Sequence, residues 1–177
     1  MRACVFDTET TDLIDNIGRP LDRQPRVIEF FGVTADHESM SLTDSLGMLI
    51  KPPFNVTEET TRITGITNEM LKDKLPFQAH AQKIIDYIES HDRVVAHNAK
   101  YDTDMIDIEL RRLNLKINWP EVVCTVEATE YLQGYRLSLG KLHMARFGVD
   151  FDDHHRAEPD TRALGNIYLD LIKEDML

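Results

Sequence analysis

Two carboxylic acids lie close together near the start of the chain. Asp7 and Glu9 follow the apolar run 3–6, which is short and typical of a buried strand. Because side chains alternate along a strand, residues two apart lie on the same face. Two neighbouring carboxylates repel each other unless a cation or a proton lies between them. The pair therefore predicts either a solvated turn or a cation site.

Two further acids stand at the starts of predicted helices. Asp102 and Asp160 are each followed at helical spacing by apolar residues that must face the core: Met105, Ile106 and Leu110 after the first, and Ala163, Leu164 and Ile167 after the second. A helix N-terminus favours an anion, so capping explains either acid but explains less well why both lean inward. Four inward-facing carboxylates suit hard divalent cations, which prefer oxygen ligands.

Histidine completes the candidate chemistry. His154 and His155 precede Asp160 in the segment before the last predicted helix. Histidine titrates near neutrality, and a general base must take a proton at working pH. Beside a metal site, a histidine here is suited to activating water, whereas without one it is an ordinary surface residue.

The elements that must position these residues are strands first, then strands alternating with helices. Strands are predicted at 3–6, at 26–34, in a third segment ending near Ile50, and then at 94–96 and 122–125. Apolar periodicity predicts helices over 77–88, 101–113, 139–147 and from Pro159 through Ile172. The early strands favour an antiparallel meander, and the whole pattern favours an α/β fold with a mixed sheet covered by helices. No repeat or linker divides residues 1–177, which we interpret as one domain.

Composition limits the function further. The 177 residues include 31 acidic and 20 basic side chains, a formal charge of −11. This acidity argues against a protein that coats duplex nucleic acid through a basic surface, but not against one that holds a strand end through metal ions. No apolar run approaches the roughly 20 residues that span a bilayer, and the N-terminus does not fit a signal peptide. Cys4 and Cys124 lie in apolar runs, so we expect reduced core thiols in a cytoplasmic protein without a membrane partner.

The three segments together resemble the DEDDh exonucleases, the DnaQ-like or epsilon-type proofreading family. The motifs are FDTETT at 6–11, AHNAKYD at 96–102 and HRAEPD at 155–160. Additional similarity lies in ITGIT at 63–67, CT at 124–125 and LSLGKL at 137–142. Each motif alone is common, but their order and spacing are specific, and the resemblance covers nearly the whole chain.

The resemblance implies an RNase H-like fold with a mixed five-stranded sheet flanked by helices. It also implies a metal-dependent 3′→5′ exonuclease that releases 5′-mononucleotides from single-stranded or frayed DNA ends, in proofreading, repair or DNA degradation. Asp7, Glu9 and Asp160 would hold one Mg²⁺ or Mn²⁺ ion, and Asp7 with Asp102 the second. His155, five residues before Asp160 as the family pattern requires, would accept the proton of the attacking water.

Substrate contacts follow from the same resemblance. The backbone of 8–11 would receive the terminal nucleotide, and Ile66 would pack against its base. The residues expected to bind substrate are Thr8, Thr10, Thr11, Ile66, Asn98 and Lys100. Arg156 and Arg162 also flank the motifs. A DNA polymerase is the expected protein partner, and single-stranded DNA 3′ ends are favoured over RNA.

Several positions depart from the family pattern. Asp12 stands where glycine is frequent after the paired threonines, and the loop over 12–25 is longer than usual. Tyr101 replaces a more frequent phenylalanine, which adds a hydroxyl, and Thr161 replaces a more frequent alanine. None removes a predicted metal ligand. We therefore expect these departures to affect substrate specificity and to leave the catalytic chemistry intact.

Two other functions fit the same pattern. The first is an exoribonuclease of the oligoribonuclease or RNase T kind, since discrimination depends on how the pocket treats the 2′-hydroxyl. The second is a non-catalytic module that docks to a polymerase or binds ends, which the presence of all five motif residues disfavours. His91-Asp92 lacks the further histidines of a phosphohydrolase site, and the acidic run 150–153 lacks the glycine of a calcium loop.

Overall fold

The chain forms five strands and seven α-helices in its described part. In the computed structural model residues 1–14, 16–151 and 155–177 are described, without the side chains of 131–133. The strands are β1 (Arg2–Thr10), β2 (Val27–Asp36), β3 (Ser41–Leu49), β4 (Arg93–Ala96) and β5 (Glu121–Cys124). The helices are α1 (Glu58–Thr64), α2 (Asn68–Leu71), α3 (Phe77–Glu89), α4 (Ala99–Arg112), α5 (Thr125–Gln133), α6 (Leu139–Phe147) and α7 (Ala157–Lys173), and a 3-10 turn spans Leu21–Arg23.

The strands make one mixed sheet in the order β3-β2-β1-β4-β5. β1, β2 and β3 pair antiparallel, as the predicted meander requires. β4 pairs parallel with β1, and β5 pairs parallel with β4. The predicted mixed five-stranded sheet flanked by helices is therefore confirmed.

Helices cover both faces of the sheet, and β1 divides its side chains between them. Cys4 and Phe6 belong to a core cluster with residues of α3 and α4. Ala3 and Val5 belong to a second cluster with residues of α7. Because Asp7 and Glu9 continue the second series at a period of two, they face α7.

β1 is longer than its apolar run predicts. It continues to Thr10 because β2 pairs with it throughout, so that Asp7 lies opposite Phe31 and Glu9 opposite Glu29. The two acids therefore lie inside a strand, where the ladder fixes their direction. α7 likewise begins at Ala157, two residues before the predicted start at Pro159.

Short elements were not predicted: α1, α2, α5 and the 3-10 turn. α1 begins with a side-chain cap, in which the Thr57 hydroxyl accepts from Thr60 N, and ends at Gly65 with φ 69°. Such short segments carry too little periodicity to identify from spacing. Cys4 is buried, Cys124 is partly buried, and both are free thiols as expected. None of the helices in the described ranges is long and apolar enough to cross a bilayer.

Candidate active site

Three carboxylates from two elements converge at the end of β1. One ligand oxygen from each of Asp7, Glu9 and Asp160 lies within 4.8 Å of the others. β1 supplies the first two on the face that α7 covers, and the first turn of α7 supplies the third. The structure thus brings Asp160, near the end of the chain, next to the Asp7–Glu9 pair near its start, and we call these three residues the acid cluster.

Asp102 approaches the same sheet edge from the other helical layer. It is buried, and its Oδ1 accepts hydrogen bonds from Thr8 N at 3.0 Å and from Thr8 Oγ1 at 2.7 Å. β4 pairs with β1 only as far as Val5. Further along β1, the Thr8 amide donates to the Asp102 side chain of α4. Thr8 was expected to contact substrate, but its amide and hydroxyl instead hold Asp102.

Burial and mutual repulsion make these acids difficult to ionise. Burial first, and then Asp102, Glu9, Asp160 and Glu29, raise the pKa of Asp7 well above its usual range. Burial and the neighbouring acids raise the pKa of Glu9 to about 8. Burial also raises the pKa of Asp102 to about 7, against the hydrogen bonds from Thr8.

A hard divalent cation fits this arrangement. The donors within reach are carboxylate oxygens, which Mg²⁺ and Mn²⁺ prefer. Acids with raised pKa values ionise at neutral pH when a positive charge lies among them. The residues present therefore fit the metal ion that the sequence motifs imply.

Glu29, on β2, is a fifth acid at this edge that the sequence analysis did not identify. It is the Cα partner of Glu9 across the β1–β2 ladder. Its carboxylate accepts from Arg156 Nη2 at 2.8 Å, from Arg156 Nε at 3.1 Å and from Ala157 N at 3.1 Å. Glu29 therefore fastens the start of α7, and with it Asp160, to the sheet. No spacing rule connects residues so far apart.

His155 lies on the bend before α7. Its φ is 64°, its side chain is exposed, and its backbone N–H donates to Asp160 Oδ2 at 3.0 Å. The backbone of the candidate base is thus tied to an acid of the cluster. His154 and residues 152–153 of the acidic run lie outside the described residues.

Tyr101 and Asp12, two departures from the family pattern, are in contact. The hydroxyl of Tyr101 donates to Asp12 O at 3.0 Å. Thr10 Oγ1 donates to the same carbonyl at 2.9 Å and also lies against the Tyr101 hydroxyl. The Tyr101 hydroxyl therefore fixes the backbone just after β1. Tyr101 itself is the residue before Asp102 on α4.

Thr11 joins the two ends of the long loop over 12–25 through hydrogen bonds to Arg26. Its N–H donates to Arg26 O at 2.9 Å, and its hydroxyl accepts from Arg26 N at 2.9 Å. Its carbonyl accepts from Thr60 Oγ1 of α1 at 2.9 Å. Like Thr8, Thr11 is held by bonds within the protein.

The structure corrects the expectation for Ile66. Its side chain is fully buried with Ile28, Val56 and Leu71, so it presents no face to a base. Ile63, three residues earlier, is 46% exposed. It lines a groove of about 570 Å³ beside the start of α7, whose lining residues are Arg62, Ile63, Thr64, Gly65, Arg156, Glu158 and Pro159. The exposed apolar side chain in this region is therefore Ile63.

Asn98 and Lys100 lie exposed at the start of α4. Asn98 has φ 69° and accepts from Arg136 Nη2 at 3.1 Å. Lys100 Nζ lies 2.6 Å from Asp104 Oδ2, one turn along the same helix. Both side chains are accessible from solvent, and each already has a partner within the protein.

An open mixed sheet with acids gathered at one strand end suits a metal-dependent enzyme, and comparison with known proteins identifies its class. The family described as "Exonuclease" matches residues 4–168. The DNA polymerase III subunit epsilon of Pasteurella multocida is 33% identical over 175 residues, covering 95% of this chain and 67% of that protein. The epsilon subunit of Haemophilus influenzae is 30% identical over 174 residues, covering 95% and 66%. The 3'-5' exonuclease DinG of Bacillus subtilis is 26% identical over 177 residues, covering 98% and 18%.

Solved structures share the fold. The nuclease domain of 3'hExo, a DEDDh family member bound to rAMP, has a TM-score of 0.79 at 17% identity, covering 98% of this chain and 92% of that chain. Exonuclease X in complex with 5' overhanging duplex DNA has a TM-score of 0.72 at 21% identity, covering 99% and 93%.

The chain belongs to this exonuclease family. The DnaQ-like DEDDh assignment made from the motifs is thereby confirmed, and so is the enzyme class, a metal-dependent exonuclease. The chain spans about two thirds of the length of the epsilon subunits that it matches and about a fifth of DinG.

We predict that a divalent cation stabilises the protein more strongly as pH rises. Folding raises the pKa of Glu9 from 4.5 to about 8, so between these values the metal-free folded state binds more protons than the unfolded state. The stability that protonated Glu9 contributes is therefore lost as pH rises from 4.5 to about 8. A cation that binds the ionised acids restores this stability. The stabilisation by the cation is the difference between the melting temperatures in MgCl₂ and in EDTA, measured from pH 5 to 9.

In that experiment Asp7→Asn is the control, and it should abolish the MgCl₂-induced rise in melting temperature at every pH. A rise of equal size at pH 5 and pH 9 in the unsubstituted protein would contradict the assignment of a cation to the acid cluster.

We predict that Tyr101→Phe loosens the loop over 12–25. The substitution removes the hydrogen bond from the Tyr101 hydroxyl to Asp12 O and should lower the free energy of unfolding by about 0.5–1.5 kcal/mol. Urea unfolding gives the free energy, and the rate of trypsin cleavage after Arg23 reports on the loop. Tyr135→Phe, at a tyrosine that is 54% exposed, is the matched control. If trypsin cleaves Tyr101→Phe no faster than Tyr135→Phe, the Tyr101 hydroxyl does not hold the loop.

Proposed function

We propose that the chain is a 3′→5′ exonuclease that removes 5′-mononucleotides from single-stranded or frayed DNA ends. One observation carries the proposal: the ligand oxygens of Asp7, Glu9 and Asp160 lie within 4.8 Å of one another. Carboxylates gathered this closely repel both one another and an anionic phosphodiester. They are useful to a nuclease as cation ligands, which agrees with the family of the chain.

In this proposal, Asp7, Glu9 and Asp160 hold one ion, and Asp7 with Asp102 holds a second. Two divalent cations, when bound, neutralise the phosphate and stabilise the entering and leaving oxygens. Mg²⁺ and Mn²⁺ are the proposed ions, since the donors are all carboxylate oxygens. Thr8 orients Asp102 through two hydrogen bonds, so the protein fixes the direction of this ligand.

His155 is the proposed acceptor for the proton of the attacking water. Its exposed ring can reach solvent, and its backbone bond to Asp160 keeps it next to the acid cluster. The groove beside the start of α7 is the proposed path of the strand, with Ile63 in contact with a base. Thr10, Asn98 and Lys100 remain proposed substrate contacts at the rim.

The proposed substrate is DNA, and a DNA polymerase is the proposed partner. Support comes from the relatives that cover most of this chain, two of which are DNA polymerase III epsilon subunits. The ribonucleotide bound in one structure of the same fold makes RNA the necessary comparison. A single 2′-hydroxyl distinguishes the two substrates.

The decisive experiment follows the products of 5′-labelled single-stranded DNA, a mispaired primer–template and RNA of matched sequence in MgCl₂ or MnCl₂. We expect a ladder that shortens one nucleotide at a time from the 3′ end, fastest on unpaired DNA and absent in EDTA. Asp7→Asn should remain folded by circular dichroism and should not cleave. Immediate release of the labelled 5′ nucleotide, or no shortening of any substrate, would refute the proposal.

We predict that His155→Ala lowers kcat by about 10²–10⁴, the usual contribution of a general base. Binding of Mn²⁺ and of the oligonucleotide should be retained, because His155 is not a proposed metal ligand. His154→Ala, the neighbouring histidine, is the matched control and should keep nearly full activity. The opposite ranking of the two variants would move the base to His154.

A further inference from the structure

Arg156 places a permanent positive charge beside the acid cluster. It precedes Ala157, the first residue of α7, and Asp160 lies one turn further along. Its charge lowers the pKa of Glu9, although burial and the neighbouring acids prevail. A guanidinium stays charged at all working pH values and binds carboxylates through two parallel hydrogen bonds. Arg156 is thus a potential competitor for the same oxygens that a metal ion needs.

Glu29 engages this guanidinium on the sheet side. Nη2 and Nε of Arg156 donate to separate oxygens of Glu29, at 2.8 and 3.1 Å. The Glu29 side chain is only 9% exposed, and Ala157 N also donates to it. The carboxylate is therefore held between the ladder position opposite Glu9 and the first turn of α7, and it binds Arg156 in the bidentate geometry that arginine prefers.

We propose that Glu29 is a positioning residue that holds the Arg156 guanidinium away from Asp7, Glu9 and Asp160, so that these carboxylates stay available to divalent cations. The inference rests on the proposed metal-dependent function. The guanidinium charge already lowers the pKa of Glu9, and Asp160 lies one turn along the same helix, so without Glu29 these carboxylates are alternative partners for Arg156. An arginine bound there would neutralise a ligand and occupy the place of an ion.

Glu109 provides a natural control for a purely structural role. It is a buried glutamate on α4 that accepts from a backbone amide, Val27 N at 3.1 Å, and from Arg26 Nη1 at 3.1 Å. It also lies 3.0 Å from Arg112 Nη1. Like Glu29, it binds a backbone amide and an arginine, but these contacts hold the last turn of α4 and not the acid cluster.

The test measures Mn²⁺ binding to the full chain by titration calorimetry, with the MnCl₂-induced rise in melting temperature as a second readout. Glu29→Gln keeps the size of the side chain and an acceptor for Ala157 N, but it weakens the hold on Arg156. We expect this variant to bind Mn²⁺ about 10–100-fold more weakly, the usual effect of losing a carboxylate that orders a metal site from outside the ligand shell. Glu109→Gln should lose stability and keep its Mn²⁺ affinity.

The Arg156→Gln substitution separates restraint from simple loss of negative charge. If Glu29 acts through Arg156, removal of the guanidinium should restore Mn²⁺ affinity in Glu29→Gln and change it far less in the unsubstituted protein, a non-additive cycle. Equal effects of Arg156→Gln in both backgrounds, or unaltered affinity in Glu29→Gln, would overturn the inference. Absence of Mn²⁺ binding by the unsubstituted protein would instead refute the proposed function itself.

Discussion

The carboxylates gathered at the end of β1 repel one another, and the neighbouring residues must hold them in place against that repulsion. Asp7 and Glu9 are forced onto one face by the pleat of β1, and Asp160 is directed at them from α7. Burial, and then repulsion by the neighbouring acids, raises the pKa values of Asp7 and Glu9, so the cluster without a cation tends to take up protons. The fold therefore has to hold the acids together by other interactions until cations do so.

The holding interactions come from both helical layers. Thr8 binds Asp102 on the layer of α4, and Glu29 binds the first turn of α7 on the other. Both anchors are strand residues next to an acid in the β1–β2 ladder. Since strands in a sheet are rigid relative to one another, the ladder fixes the acids and their supports in one frame. Side chains ordered in this way lose little further entropy when an ion binds.

The long loop that leaves β1 is tied to the same frame. Tyr101, next to Asp102 on α4, binds the carbonyl of Asp12, and Thr11 closes the neck of the loop against Arg26. The two departures from the family pattern at positions 12 and 101 are therefore one feature.

Local patterns determined much of this protein. The alternation of β1 placed Asp7 and Glu9 on one face, and the helical periodicity after Asp102 and Asp160 turned both acids inward. These predictions succeeded because they depend on residues a few positions apart, where backbone geometry is fixed. The element boundaries were less accurate. β1 runs on to Thr10 because of its pairing with β2, which apolar composition does not reveal.

Tertiary structure decided the remainder. Glu29 carries no signal in its own segment, and it joins the site only because β2 lies beside β1 and α7 crosses the same face. Ile66 and Ile63 are equally apolar in the sequence, and packing buried the first and left the second exposed. The sequence alone determined which side chains could bind a cation and on which face of each element they stand. Only the folded sheet decided which of them meet, because contacts between distant segments depend on how whole elements pack.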